Sequence, residues 1–367
     1  MKVLCHREGL LSAFQLASAV VPARDLKPIL RNLKAIAEQD RCTLLATDLE
    51  LGIRLELRGV QVKEAGEALL PVGRVLAILR ESTDDELSIE ANTQACFVRG
   101  QFNEFEMGGE DAADFPDVPA FTGESYHELP AGMLREMIRR TLFAAATENP
   151  RYAVTGVLWE LEGDVARLVA TDGRRLAVAE GNATPQGGHD TKDQTHVVPT
   201  KAMQLLERNL QDADERVRVS LRPNEALFKT ERAMIYSRLV EGRYPPYREV
   251  FPKKQTVKMS LGVGPFYTAV RQAAVMTDDE SKKVVFSFNK EKLTLQARGA
   301  ATGRSKVEMP IDYGGKTIEI AFDPKFLTDM LRVLNPEDGI SLELVDGNSV
   351  ALFKSGENYS YIVMPLS

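Results

Sequence analysis

Cysteine and histidine are scarce in this chain: 3 and 4 residues out of 367. Cys5, Cys42 and Cys96 lie far apart with no metal-ligand spacing, so they read as small buried hydrophobes in a reducing compartment. His6, His127, His189 and His196 form no HxxxH pair and no Cys/His cluster, and neither a metal nor any other cofactor is expected. Long apolar runs are also missing. The longest mostly apolar stretch, 10–21, is interrupted by Ser12, Gln15 and Ser18, too short and too mixed to span a bilayer. His6, Arg7 and Glu8 break up any signal-peptide core, which makes the cytoplasm the expected location. There is no GxxxxGK[ST] phosphate loop and no Ser/His/Asp order that stands out, so catalysis finds little support. A net charge of −7 excludes a uniformly basic coat, but a basic face on one side remains compatible with it.

What the chain does have is a repeat. Its length favours two or three domains over one core, and segments recur at about a third of that length. LLATDLE (44–50) returns as LVATDGRR (168–175), and LPVGRVLAIL (70–79) returns as VPTKAMQLLE (198–207) and DPKFLTDMLR (323–332). Each of the latter places Pro at a helix start, where its missing N–H costs nothing. An apolar stripe follows: Val72, Val75, Leu76, Leu79; then Ala202, Leu205, Leu206, Leu210; then Phe326, Leu327, Met330, Leu331, Leu334. A second helix opens each unit, with stripes through Leu10, Phe14 and Ala17, through Leu134, Met137 and Ile138, and through Phe266, Val270 and Ala274.

Alternating runs such as GIRLELRG, KVVFSFNKEKLTLQARG and GISLELVDGNSVALFK read as antiparallel strands. Seams fall in GEDAADFPDVPAFTGES near 108–125 and GRYPPYREVFPKK near 242–254, both rich in Pro, Gly and charge. The fold class is therefore α+β, three repeated units at 1–122, 123–252 and 253–367, each with two helices on antiparallel sheet. Asp48 and Asp172 could be paired carboxylates for acid–base work. Both occupy the same turn of two units, which favours a structural role.

Taken in order, PILRNL (28–33), ATDLE (46–50), ADFPDVP (113–119), RYAVTGVLWE (151–160), ATDGRRLAV (170–178), LVEGRYPPYREVFP (239–252) and YIVMPLS (361–367) make the whole chain resemble the bacterial DNA polymerase III beta-subunit, or sliding clamp, family. The resemblance implies three clamp domains per chain and two chains closed head to tail into a ring, helices lining the channel. It implies a processivity factor that encircles duplex DNA without reading its sequence. Its partners would be the replicative polymerase, the clamp loader and other repair and replication proteins that carry a short peptide motif. Alternatives are a specialised second clamp for repair or resistance, a non-ring scaffold, or an enzyme.

Sequence-independent DNA contact is carried by Lys and Arg. Lys325 and Arg332 are seven apart, about two turns; Lys201 and Arg208 repeat the spacing, Arg135 and Arg139 lie at i, i+4, and Arg74 stands on the matching helix of the first unit. The resemblance adds loop residues Arg24, Lys27, Arg151 and Tyr152, with acidic Glu148 beside the last pair.

It also implies an apolar peptide pocket. Its first part is Val154, Thr171, Gly173, Arg174, Arg175 and Leu176, with Pro245 and Val250. Gly347, Ser349, Ile362, Val363, Met364, Pro365 and Leu366 complete it. Arg175 and Thr171 are expected to hold the peptide's polar groups. Glu249 and Ser367 depart from the family pattern, which puts a basic residue and a basic pair there. For ring closure the resemblance implies an edge containing Phe105 against a surface with Val275 and Met276. Glu104 and Glu106 are expected to meet Arg298, Arg304 and Lys306.

Overall fold

The computed structural model describes residues 1–22, 27–148, 151–192, 194–278, 282–299 and 302–366. Among them are six α-helices: α1 (Arg7–Ser18), α2 (Val72–Glu81), α3 (Ala131–Thr141), α4 (Thr200–Asn209), α5 (Val263–Ala274) and α6 (Pro324–Leu331). Each lies where the sequence carries an apolar stripe, and the stripe is the buried side. In α2 the buried residues are Val72, Val75, Leu76 and Leu79. In α6 they include Phe326, Leu327, Met330 and Leu331. Pro324 occupies the first turn of α6, behind Asp323, whose side chain accepts from the Lys325 N–H at 2.9 Å. That cap satisfies a donor left over at the helix start.

Two compact units cut across the repeat. The first comprises 1–133, 183–191 and 201–239; the second comprises 134–182, 192–200 and 240–367. In the first, a nine-stranded antiparallel sheet continues from one repeat to the next where Ala233–Arg238 pairs with Leu51–Leu57, Ile235 opposite Ile53. A five-stranded sheet ends on the edge strand Glu104–Gly108. Buried in this unit are His127 and His189, with Nδ1 atoms 2.7 Å apart. In the second unit, an eight-stranded antiparallel sheet joins repeats where Arg175–Asn182 pairs with Tyr359–Val363, Leu176 opposite Ile362. A four-stranded sheet there ends on the edge strand Gly303–Pro310.

The two Pro-rich seams are not free connectors. Phe115 and Val118 are buried with Leu45 and Leu69. Tyr247 is buried with Leu176, Val178, Leu352 and Ile362. The apolar residues between the prolines remove enough surface from water to strap each segment to its sheet.

Candidate functional site

The turn between strands Val165–Thr171 and Arg175–Asn182 organises the second unit's surface. Thr171 Oγ1 donates to the Arg175 carbonyl at 2.6 Å and accepts from the Gly173 N–H at 3.0 Å. Asp172 Oδ1 accepts from the N–H groups of Arg174 and Arg175 at 2.9 and 3.1 Å. Gly173 sits at φ +88°, a left-handed conformation that glycine adopts without a Cβ clash.

Arg175 is buried, and its Nε, Nη1 and Nη2 donate to Asp172 (2.9 Å), Asp329 (2.8 Å) and the Phe143 carbonyl (2.8 Å). The guanidinium also lies over the Phe326 ring, 4.8 Å from its centroid. A buried cation has to be matched by carboxylates and acceptors, and here the chain supplies them. Thr171 and Arg175 are thus held in place by bonds within the chain, and Arg175 also lines a surface cleft beside Arg174. Exposed Arg174 is the cation at the surface of this turn; its carbonyl accepts from the Met364 N–H at 2.9 Å.

The apolar candidates separate by exposure. Val154, Leu176, Ile362 and Val363 are buried. Val250 and Met364 are 42% and 46% exposed, and Pro245, Pro365 and Leu366 are half-buried. Gly347 and Ser349 belong to a turn in which Asp346 accepts from the N–H groups of Asn348 and Ser349, both at 2.8 Å. These bonds hold the Asp346 carboxyl below its ordinary range. A Cβ at Gly347 would come within 2.0 Å of the Glu319 carbonyl, so glycine is needed there.

One carboxylate braces the turn that carries Val250, and the sequence reading missed it. Glu160 Oε2 accepts from Tyr247 Oη at 2.9 Å, Arg248 Nη2 at 2.7 Å and Arg167 Nη1 at 2.8 Å. Arg167 Nε also donates to Glu180 at 2.7 Å. Burial, then the Glu160 charge, pushes the Tyr247 hydroxyl well above its ordinary range, so it stays protonated as a donor. This network pins the short 3-10 turn Tyr247–Val250, which carries Val250. In the sequence the only signal was the tyrosine and arginine in YPPYRE.

The DNA candidates among the described residues are all at the surface. Lys27, Arg74, Arg135, Arg139, Arg151, Tyr152, Lys201, Arg208, Lys325 and Arg332 are all exposed. Glu136, on the same side of α3 as Arg135, is paired with Arg140. Lys201 pairs with Asp48 at 2.6 Å, and Arg332 with Asp329 at 2.7 Å. Lys325 and Arg332 share a cleft of about 1540 Å³ with Arg174 and Arg271, so basic candidates for two different ligands meet in one place. Arg24 and Ser367 lie outside the described residues.

Of the edge candidates, Glu104, Phe105 and Glu106 are exposed on strand Glu104–Gly108, and Arg298, Arg304 and Lys306 on the four-stranded sheet. Val275 is 69% exposed at the end of α5, with Met276 half-buried beside it. Glu104 is paired with Arg99 across the hairpin, and Lys306 with Glu308 at 2.8 Å.

Among the described residues no group of three or more His, Cys, Asp or Glu is placed to hold a metal ion. No helix among them is long and apolar enough to cross a membrane.

Models of the DNA polymerase III beta subunit match the chain along nearly its whole length: the N-terminal domain at 1–119, the central domain at 128–246 and the C-terminal domain at 248–367. A beta sliding clamp of Pseudomonas putida is 29% identical over 100% of both chains. The crystal structure of the DNA polymerase III subunit beta from Pseudomonas aeruginosa superposes with a TM-score of 0.91 at 29% identity, covering 100% of both chains. A sliding clamp from the same organism bound to griselimycin gives 0.92 at 28%, covering 100% of this chain and 99% of that one. Three clamp-domain matches in order, with the repeated helix pairs and antiparallel sheets behind them, leave one assignment: the chain belongs to the DNA polymerase III beta-subunit family, the sliding clamps.

Proposed function

We propose that the protein is a DNA sliding clamp, a non-catalytic processivity factor. Two copies close head to tail around duplex DNA, and the ring tethers a replicative polymerase in the cytoplasm. The modules are 1–122, 123–252 and 253–367. One observation carries the reading: α2, α3, α4 and α6 all present Arg or Lys outward while their apolar faces are buried. Phosphate contact of that kind is sequence-independent and salt-dependent, which suits a protein that must slide.

Polymerase, clamp loader and repair proteins bind through short apolar peptide motifs at the groove rimmed by Val250, Met364 and Leu366. Arg174 supplies the polar contact there. Glu249, exposed beside Val250, tilts peptide preference away from acidic flanks. The ring seam joins the Phe105 edge of one copy to the Val275 and Arg304 surface of the other. Phosphate contacts come from Lys27, Arg74, Arg151 and the helix cations, and from Arg24.

Light scattering should give twice the 40.7 kDa chain mass, and a chain lacking residues 363–367 should remain dimeric while losing polymerase-peptide binding. Wild-type peptide affinity in that truncation would refute the groove.

A further inference from the structure

The largest exposed apolar side chain of the first unit is one the groove and the DNA face leave unexplained. Phe102 is 90% exposed at the tip of the hairpin between strands Ala95–Arg99 and Glu104–Gly108. The hairpin is held rigid. Asp84 accepts from the Gln101 N–H at 3.3 Å and from Asn103 Nδ2 at 3.0 Å, and Gly100 N–H donates to the Asn103 carbonyl at 3.0 Å. A Cβ at Gly100 would lie 2.0 Å from Asp84 Oδ2, so glycine lets the carboxylate approach. The Asn103 and Gln101 hydrogen bonds hold the Asp84 carboxyl below its ordinary range. An exposed aromatic on a preformed turn is displayed with little left to order on binding.

The second unit carries a surface that complements it. Arg298 stands directly opposite Arg304 across the last two strands of the four-stranded sheet, and Gln296 opposite Lys306. Like charges in that position repel, and the arrangement is relieved when an acidic surface covers them. A cavity of about 700 Å³ lies at this face, lined among others by Lys283, Val285, Ala297, Arg298, Arg304 and Lys306. Acidic Glu106 is two positions beyond Glu104 on the strand that follows Phe102. Both edge strands lack a second neighbour among the described residues.

We infer that Phe102 is the anchor of ring closure: it seats in the basic-rimmed cavity at the edge strand Gly303–Pro310 of a second copy of this chain, while Glu106 meets Arg304. The inference rests on the head-to-tail ring proposed above and on the acidic-to-basic seam expected from the sequence, and adds to them Phe102 as an aromatic plug. Acid-to-base matching makes the edge select its own chain and disfavours pairing of two like edges.

The test is the dimer dissociation constant of the full chain, measured by sedimentation equilibrium. Phe102→Ala should weaken the dimer about 30-fold or more, the range of a central interface aromatic, with unchanged circular dichroism at low temperature; Phe102→Trp should retain most of the affinity. Glu106→Arg should weaken the dimer, and Arg304→Glu added in the same chain should restore it. A Phe102→Ala dimer as tight as wild type overturns the anchor and leaves the ring standing. A wild-type chain that stays monomeric at tens of micromolar, by contrast, removes the ring reading and the anchor with it.

Discussion

The same turn precedes the strand that pairs with the next repeat in both units, with opposite consequences. In the first unit Thr47 Oγ1 accepts from the Leu49 N–H at 2.9 Å and donates to the Leu51 carbonyl at 3.0 Å, while Asp48 Oδ1 accepts from Glu50 and Leu51. That is the hydrogen-bond pattern of Thr171 to Arg175. Around the first turn the strap closes the surface. Phe115 and Val118 are buried, and Val118 lies so close to Gly52 that a Cβ there would come within 2.7 Å of it. Around the second turn the strap buries Tyr247 but leaves Val250, Met364 and Leu366 accessible. Accessible apolar surface beside the turn therefore does not come with the repeat; it depends on how much of the sheet the strap covers.

The largest contrast is expected between strap and rim. Phe115→Ala should cost about 3–5 kcal/mol of first-unit stability, as large-to-small core changes do, with polymerase-peptide affinity unchanged. Val250→Asp should abolish peptide binding, at least a hundredfold, because it puts a charge in an apolar rim, and melting should barely move. Isothermal titration and thermal melts on the same two variants check both. Equal effects of the two substitutions on peptide affinity would erase the distinction.

The brace comes next. Glu160→Ala should lower peptide affinity about tenfold by releasing Tyr247 and Arg248, an effect of the size expected when hydrogen bonds to a charged group are lost. Glu160→Gln keeps an acceptor and should recover most of it. An alanine variant that binds like wild type would show that the rim needs no brace.

The backbone of the two turns supplies a smaller contrast. Leu49 sits at φ +77° where Gly173 sits at φ +88°. A side chain in that region is strained by roughly 1 kcal/mol, so Leu49→Gly should stabilise the first unit by about that amount and Gly173→Ala should destabilise the second. Denaturant midpoints decide the signs.

The smallest effect concerns pH. Burial, then the neighbouring His127, holds His189 below its ordinary value of 6.5, despite an opposing hydrogen bond from its surroundings. The unfolded chain then takes up the proton first. First-unit stability should be full above about pH 6.5 and decline as pH falls through that value. Hydrogen-exchange protection factors of strands Tyr126–Pro130 and Arg216–Arg222 at pH 7.5 and 5.5, with the base-catalysed intrinsic rate divided out, read it; higher protection at the lower pH would contradict the sign.

Much of this was legible in the residues. The stripes through Val72 to Leu79 and Phe326 to Leu331 lie on helices because burying one face at a 3.6-residue period leaves its mark on sequence. The repeated Thr-Asp turn was visible because its side-chain bonds are local. What escaped notice depends on contacts between distant positions. Glu160 reaches Tyr247 from 87 residues away, and Arg175 reaches Asp329 across 154, so neither pairing has a spacing to detect. Phe102 was passed over because an aromatic between Gln101 and Asn103 in a turn breaks no periodic pattern.

A sliding clamp of this build should stay on DNA by enclosure and not by grip. Retention on nicked circular duplex, after loading, measures this directly at salt high enough to weaken phosphate contact. The protein should co-migrate with the circle and be lost once a single cut linearises it. Equal retention on circular and linear molecules would contradict the account.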